Sequence, residues 1–164
     1  MIKVKKAILV AYFSHSGNTR VVADQIHQSV GGDIFEIESI GTYPRNYDEV
    51  VAQARKELDE DLRPKLKIKI ENIGSYNVVF VGYPNWWGTI PRPVATFLSQ
   101  YDLSGKTIVP FCTHEGSGLG RSATDIKELC PKSTIMNGLA VRGSYVKQAQ
   151  NEVSEWLRKI GMKE

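Results

Sequence analysis

A short polar stretch, Ser14-His15-Ser16-Gly17-Asn18-Thr19, stands between an apolar run and an amphipathic run. The apolar run, residues 7–13, predicts a buried parallel strand, and the amphipathic run, residues 21–30, predicts a helix. A sharp turn from strand to helix directs free backbone N–H groups and the positive end of the helix dipole at one place. The three hydroxyl groups of the stretch add donors, and its glycine allows close approach of the backbone. The stretch therefore predicts a phosphate site, whereas an ordinary helix cap would need only one such residue.

Two common nucleotide-binding patterns do not fit this stretch. A Walker loop requires a glycine, four residues and then Gly-Lys-Ser/Thr, and the chain has no such spacing. A dinucleotide fingerprint requires three glycines between the first strand and helix, and only Gly17 is present. Because the stretch has no lysine and no neighbouring carboxylate suited to magnesium, it favours a monophosphate held by neutral donors.

Two adjacent tryptophans lie in a second loop, Tyr83-Pro84-Asn85-Trp86-Trp87-Gly88. Neighbouring loop residues rarely bury in one direction, so we expect at least one indole to line a cleft; the alternative is that both fill the core. An indole face stacks on a planar ligand for about 0.5–1.5 kcal/mol beyond area burial. Gly88 is a candidate for a positive φ.

A third loop, Thr113-His114-Glu115-Gly116-Ser117-Gly118, offers backbone N–H groups to a polar ring edge. A flexible connection between strand and helix explains the same residues equally well. The glycines from Gly116 to Gly120 do not have dinucleotide-fingerprint spacing. A Cys-x5-Arg phosphatase motif also fails, because Arg121 lies too far from Cys112, and the cysteine is predicted to be a buried apolar residue.

Strand and helix patterns alternate along the chain. The predicted elements are strand 7–13, helix 21–30, strand 33–38, helix 47–58, strand 77–83, helix 92–100, strand 107–113, helix 121–129, strand 133–141 and helix 145–160. Residues 59–72 predict an extended surface excursion, which could cover part of the site. Pro110 lies inside a predicted strand and requires a bulge or a strand-edge position.

This alternation predicts a parallel sheet with right-handed crossovers and helices on both faces. Ligands bind such sheets beyond the carboxyl ends of the strands, where the strand order reverses. The three polar loops all follow predicted strands. We therefore expect them to converge on one site.

The composition is that of an ordinary globular protein, with 164 residues, 41% hydrophobic and 24% charged, and we expect residues 1–164 to form a single domain. The net charge of +3 is too small to indicate nucleic-acid binding. No apolar run reaches the ~18–20 residues of a membrane span, and no signal peptide is recognised, so we expect a cytoplasmic protein. Two cysteines suit free thiols, and the three histidines lack metal-ligand spacing.

A phosphate pocket, a stacking platform and a donor-rich rim together fit flavin mononucleotide (FMN). The chain resembles short-chain flavodoxins over nearly its full length. The phosphate signature of that family, Ser/Thr-x-Ser/Thr-Gly-x-Thr, matches Ser14, Ser16, Gly17 and Thr19. The loop from Tyr83 to Gly88 resembles the isoalloxazine loop of a flavodoxin-like bacterial branch.

The resemblance implies an α/β fold, a flavodoxin-like three-layer sandwich whose five-stranded parallel sheet has the order 2-1-3-4-5 with helices on both faces. Flavodoxin is itself the standard example of that order. The resemblance assigns FMN contacts to Ser14, His15, Ser16, Gly17, Asn18, Thr19, Pro84, Asn85, Trp86, Trp87, Gly88, Thr113, His114, Glu115, Gly116, Ser117 and Gly118.

The implied function is that of a low-potential electron carrier with non-covalent FMN and unidentified redox partner proteins. The alternative is an NAD(P)H-dependent FMN quinone or nitro reductase on the same fold. A phosphoacceptor receiver domain is set aside, because Ser14-His15 and Pro84-Asn85 stand where it needs acidic residues. The chain lacks the acidity of electron-carrier flavodoxins, so we expect other partners and a less negative potential than theirs.

Overall fold

Six strands and five helices form along residues 7–164, the part of the chain that the computed structural model describes. The strands are β1 (Ile8–Tyr12), β2 (Asp33–Glu36), β3 (Val78–Pro84), β4 (Thr107–His114), β5 (Thr134–Ile135) and β6 (Leu139–Arg142). The helices are α1 (Asn18–Val30), α2 (Tyr47–Asp59), α3 (Arg92–Gln100), α4 (Ser122–Leu129) and α5 (Gln150–Lys159). None of these helices is both long and apolar enough to cross a membrane.

All strand pairs are parallel, in the order β2-β1-β3-β4-β5, which confirms the predicted sheet. The central strands β1, β3 and β4 are apolar on both faces because each face is covered by helices. One face packs with α3 and α4 around Val79, and the other packs with α1 and α5 around Phe80. This double burial fixes the carboxyl ends of the three strands from which the polar loops leave.

The predicted single strand at residues 133–141 is wrong, and the sheet has six strands rather than five. Two short strands, β5 and β6, pair in turn with the outer side of β4, and the gap between them lies opposite Pro110. Proline has no N–H to donate to a ladder, so pairing cannot continue past it. The backbone at Gly138 also lies close to that of Pro110, since a methyl group added to Gly138 would lie 2.9 Å from the Pro110 carbonyl oxygen. The sequence suggested a bulge or a strand-edge position for Pro110; it lies inside β4, paired with Val81 of β3 and unpaired only on its outer side.

The predicted closing helix 145–160 is shorter than expected. Residues 143–148 form a 3-10 helix, and α5 begins only at Gln150. The buried residues Val146 and Ala149 are three positions apart, which suits the tighter 3-10 turn, and Val153 then follows four positions later in α5.

The excursion was predicted over residues 59–72; Asp59 still belongs to α2, and residues 60–72 contain no helix or strand. The segment runs beside the chain that follows β2, where the Ile40 N–H donates to the Lys65 carbonyl oxygen (2.8 Å). Leu66 and Ile70 pack against the core, and Asp61 forms an ion pair with the buried Arg92 (2.8 Å). The excursion therefore covers the β2 side of the sheet.

Candidate functional site

A cleft of about 490 Å³ opens at the carboxyl ends of β1, β3 and β4. All three polar loops contribute to its lining, so they meet as the topology predicts. The predicted residues that line it are His15, Ser16, Asn18, Pro84, Asn85, Trp86, Trp87, Gly88, Thr113, His114, Glu115 and Ser117.

Five predicted residues support the loops rather than line the cleft: Ser14, Gly17, Thr19, Gly116 and Gly118. Ser14 shows how such support works. Its Oγ accepts hydrogen bonds from the backbone N–H groups of Gly17 (3.1 Å) and Arg20 (3.3 Å). The hydroxyl thereby folds the first loop back onto the start of α1.

The start of α1 keeps unused donors. The helix begins after Gly17, which has a φ of +99° and no side-chain cap, so neither Asn18 nor Thr19 caps the helix. Within residues 7–164, the backbone N–H groups of Ser16 and Thr19 have no hydrogen-bond acceptor. Free donors at a helix N-terminus are suited to an anion. This end of the cleft can hold a phosphate.

A buried hydroxyl pair joins the first loop to the third. Thr19 Oγ1 lies 2.8 Å from Thr113 Oγ1, and the two residues are 1% and 4% exposed. The hydrogen bond fixes the start of α1 against the end of β4. The spacing of the two loops therefore depends on a contact that neither stretch of sequence shows by itself.

Replacing Thr19 with valine is expected to destabilise the apoprotein by about 1–3 kcal/mol, because the Thr113 hydroxyl loses its buried partner. Thr113→Val should cost a similar amount. The double variant should be much less destabilised than the sum of the two, since no polar group is then left unpaired. Urea unfolding of the four proteins measures the coupling, and additive losses would contradict the pairing.

The tryptophan loop forms a tight hairpin. Trp86 and Thr89 exchange two backbone hydrogen bonds (3.0 and 3.3 Å). The two residues between them, Trp87 and Gly88, both have positive φ, +57° and +80°. This is the conformation of a two-residue type I′ turn. The positive φ expected at Gly88 is confirmed. Trp87 was not expected to share it, and this backbone conformation costs a non-glycine residue about 1–2 kcal/mol.

Asn85 ties the tryptophan loop to the third loop. Its Oδ1 accepts from the Gly88 N–H (2.8 Å), and its Nδ2 donates to the Gly118 carbonyl oxygen (2.8 Å). The Gly88 carbonyl oxygen in turn accepts from the Arg121 N–H (2.8 Å). These bonds hold the two loops at a fixed distance across the cleft.

The two tryptophans both line the cleft, but they are held differently. Trp86 is partly buried and packs edge-on against Phe13 and Tyr43, with ring centroids 5.3 and 5.1 Å away. Trp87 is 43% exposed, and its Nε1–H donates to the Val51 carbonyl oxygen (2.9 Å). The guanidinium of Arg55 lies 5.0 Å from the centre of the Trp87 ring. Neither indole fills the core alone.

One wall of the cleft is absent from the sequence prediction. It is formed by four apolar residues of α2, namely Tyr47, Val50, Val51 and Ala54. The apolar spacing of these residues predicted the helix but not its place beside the cleft; Val50 and Ala54 are buried, while Tyr47 is 74% exposed. No residue of the 59–72 excursion lines this cleft, so the suggestion that it covers part of the site is wrong.

Cys112 lies beneath the third loop and is 1% exposed. Burial raises the pKa of its thiol to about 12, so the sulfur is neutral at physiological pH. The predicted role of a buried apolar residue is confirmed. Within residues 7–164, no group of three histidine, cysteine or acidic side chains could hold a metal ion.

The geometry combines free N–H donors at one end of the cleft, two indoles along it, and a polar rim from the third loop. An apolar wall from α2 faces this arrangement. A planar ring with a polar edge and an anionic tail matches these features.

Comparisons with known proteins agree with this description. The sequence profile of the family described as Flavodoxin matches residues 7–160. A protein from Bacteroides eggerthii DSM 20697, provisionally described as a flavoprotein, has a crystal structure that is 36% identical in sequence with a TM-score of 0.84. The match covers 94% of this chain and 98% of that one. No protein with a curated description matches the chain in sequence.

Two more distant structures share the fold. A flavoprotein from Lactobacillus acidophilus NCFM in complex with FMN is 22% identical, with a TM-score of 0.73 over 87% of this chain and 97% of that one. A Fusobacterium nucleatum flavodoxin bound to flavin mononucleotide is 12% identical, with a TM-score of 0.61 over 95% and 97% of the two chains.

Proposed function

The chain belongs to the flavodoxin family, and from this premise we propose that it binds FMN non-covalently in the cleft and acts as a low-potential electron carrier. The observation that supports this proposal best is the meeting of the three polar loops on one cleft of about 490 Å³. Structures of two fold relatives contain FMN. When bound, FMN supplies one- and two-electron chemistry, and the protein sets its potential.

We assign the phosphate to the start of α1. The N–H groups of Ser16 and Thr19, which lack acceptors, would donate to phosphate oxygens, and the side chains of Ser16 and Asn18 face the same cleft. Ser14 and Gly17 hold the loop in shape. Neutral donors and a helix dipole suffice for a monophosphate.

We assign the ring to the space between the tryptophan loop and the third loop. Trp86 and Trp87 would give it apolar walls, and the third loop, which lines the cleft with Thr113, His114, Glu115 and Ser117, would meet its polar edge. The full set of seventeen residues predicted from the sequence thus remains our proposed binding set, with the α2 wall added. Val50 and Ala54, which are buried in that wall, would exclude water from the ring.

Titration of the purified apoprotein with FMN and with riboflavin tests this assignment. We expect FMN fluorescence to be quenched on binding, and FMN to bind about a hundredfold or more tightly than riboflavin, because only FMN reaches the donors of α1. A protein that takes up neither flavin would overturn the proposal. Equal affinity for both flavins would overturn the phosphate assignment.

One feature favours the reductase as a second candidate. The α2 wall makes one side of the cleft apolar, and Tyr47 is exposed at the edge of this wall. A quinone ring could lie against it. Steady-state NADPH oxidation by the holoprotein with a quinone separates the two functions. A carrier should show no sustained turnover without a partner reductase, whereas continuous turnover by the protein alone would identify an enzyme.

A further inference from the structure

We propose that Arg142 raises the reduction potential of FMN in this cleft by placing an unpaired positive charge behind the third loop, residues 113–118. The inference rests on the proposed FMN function. Arg142 lies outside the three loops, and its role is to favour the reduced cofactor over the oxidised one.

Arg142 is placed by the sheet. It is the last residue of β6, and it lies opposite His114 in the β4–β6 register. Leu139 and Val141 of the same strand pack into the layer that holds α1 and α5, so strand alternation turns Arg142 to the other face. A methyl group added to Gly116 would lie 3.6 Å from Nη2 and 3.9 Å from Nη1 of Arg142. The guanidinium therefore lies against the backbone of the loop.

The guanidinium of Arg142 is not engaged in a direct ion pair with any residue of the described chain, 7–164. Arg121, at the other end of the loop region, is paired with Asp125 (3.3 Å). The carboxylate of Glu115 belongs to the same loop, and its Oε1 approaches Gly143, the residue after Arg142, without forming an ion pair with the guanidinium. Arg142 is therefore an exposed cation beside the loop, without a direct ion pair in the described part of the chain.

This charge distinguishes the two redox states of the cofactor. The oxidised flavin ring is neutral, whereas the reduced ring is anionic at its pyrimidine edge, which is the polar edge that the third loop would face. A cation behind that loop stabilises the reduced ring more than the oxidised ring. By linkage, a ligand state that is bound more tightly is populated more readily, so the potential rises. The phosphate is the same in both states and cancels from this difference.

Arg142→Gln in the full chain tests the inference. We expect the affinity for oxidised FMN to change by less than about twofold and that for reduced FMN to fall by about three- to tenfold. For a two-electron couple this corresponds to a midpoint about 15–30 mV more negative. Fluorescence titration gives the first quantity, and reductive titration against a dye of known potential gives the second. Arg142→Lys should restore most of the potential, because the charge is retained.

Arg158→Gln is the matched control, since it removes the same charge near the end of α5, away from the residues that line the cleft, and should leave the potential unchanged. Equal weakening of oxidised and reduced FMN by Arg142→Gln would show a phosphate-binding or structural role and overturn the inference. An unchanged potential in a variant that binds FMN normally would also overturn it. Failure of the unaltered protein to bind FMN would instead refute the proposed function on which the inference rests.

Discussion

Replacing Gly120 with alanine should destabilise the protein by about 2–4 kcal/mol and weaken FMN binding by about tenfold or more. Gly120 has a φ of +57°, and an added Cβ would lie 2.3 Å from the Gly88 carbonyl oxygen and 2.9 Å from its carbon. Both atoms belong to the backbone, so no side-chain rotation relieves the overlap. The tryptophan turn would have to move, and the bond from the Arg121 N–H to Gly88 would move with it.

Gly118→Ala provides the comparison. Gly118 has a similar φ of +64°, but a Cβ there meets no atom within 4 Å. This variant should therefore show only the conformational cost of about 1–2 kcal/mol and keep most of its FMN affinity. Urea unfolding and FMN titration of both variants separate close approach from backbone strain. If Gly120→Ala is no worse than Gly118→Ala, the packing of Gly120 on the turn does not matter for the site.

Replacing Trp87 with alanine should have the opposite signature, with a large loss of binding and a small loss of stability. The indole is 43% exposed, and its contacts are the bond to Val51 and the Arg55 guanidinium. Their loss should cost the apoprotein about 1 kcal/mol. Loss of a stacking face should weaken FMN binding by about ten- to a hundredfold.

Two variants make this result specific. Trp87→Phe keeps a ring face but not the N–H group, and it should bind FMN within about threefold of the unaltered protein. Tyr145→Ala removes an aromatic residue that is 57% exposed outside the cleft, and it should bind normally. Normal binding by Trp87→Ala would show that the flavin ring does not contact this indole.

The central strands were predictable because their burial on both faces gives long apolar runs. Such runs can be recognised as strands without knowing which other strands they pair with. The outer strand was not, because its division into β5 and β6 depends on Pro110 in β4, about 25 residues away in sequence. A pattern within residues 133–141 contains no sign of that partner. The 3-10 helix before α5 was missed for a similar reason, since its apolar residues suit both helix types.

The candidate site likewise has parts that the local sequence predicts and parts that depend on distant residues. The three loops were recognisable because polar and glycine residues directly after an apolar strand indicate a ligand-binding loop from the local sequence alone. The wall from α2 was not, because an apolar face with Val50 and Ala54 at helical spacing is the same whether it meets the core or a ligand. The left-handed backbone of Trp87 was also missed, because a large side chain rarely adopts it.

The gap opposite Pro110 has a consequence for how molecules of this protein meet in a crowded solution. An uninterrupted outermost strand would present a continuous row of unpaired backbone N–H and C=O groups, with which a strand of another molecule could pair. Here β5 has two residues and β6 has four, with the chain pressed inward at Gly138 between them. Pairing of a strand from another molecule along this side of the sheet is therefore disfavoured.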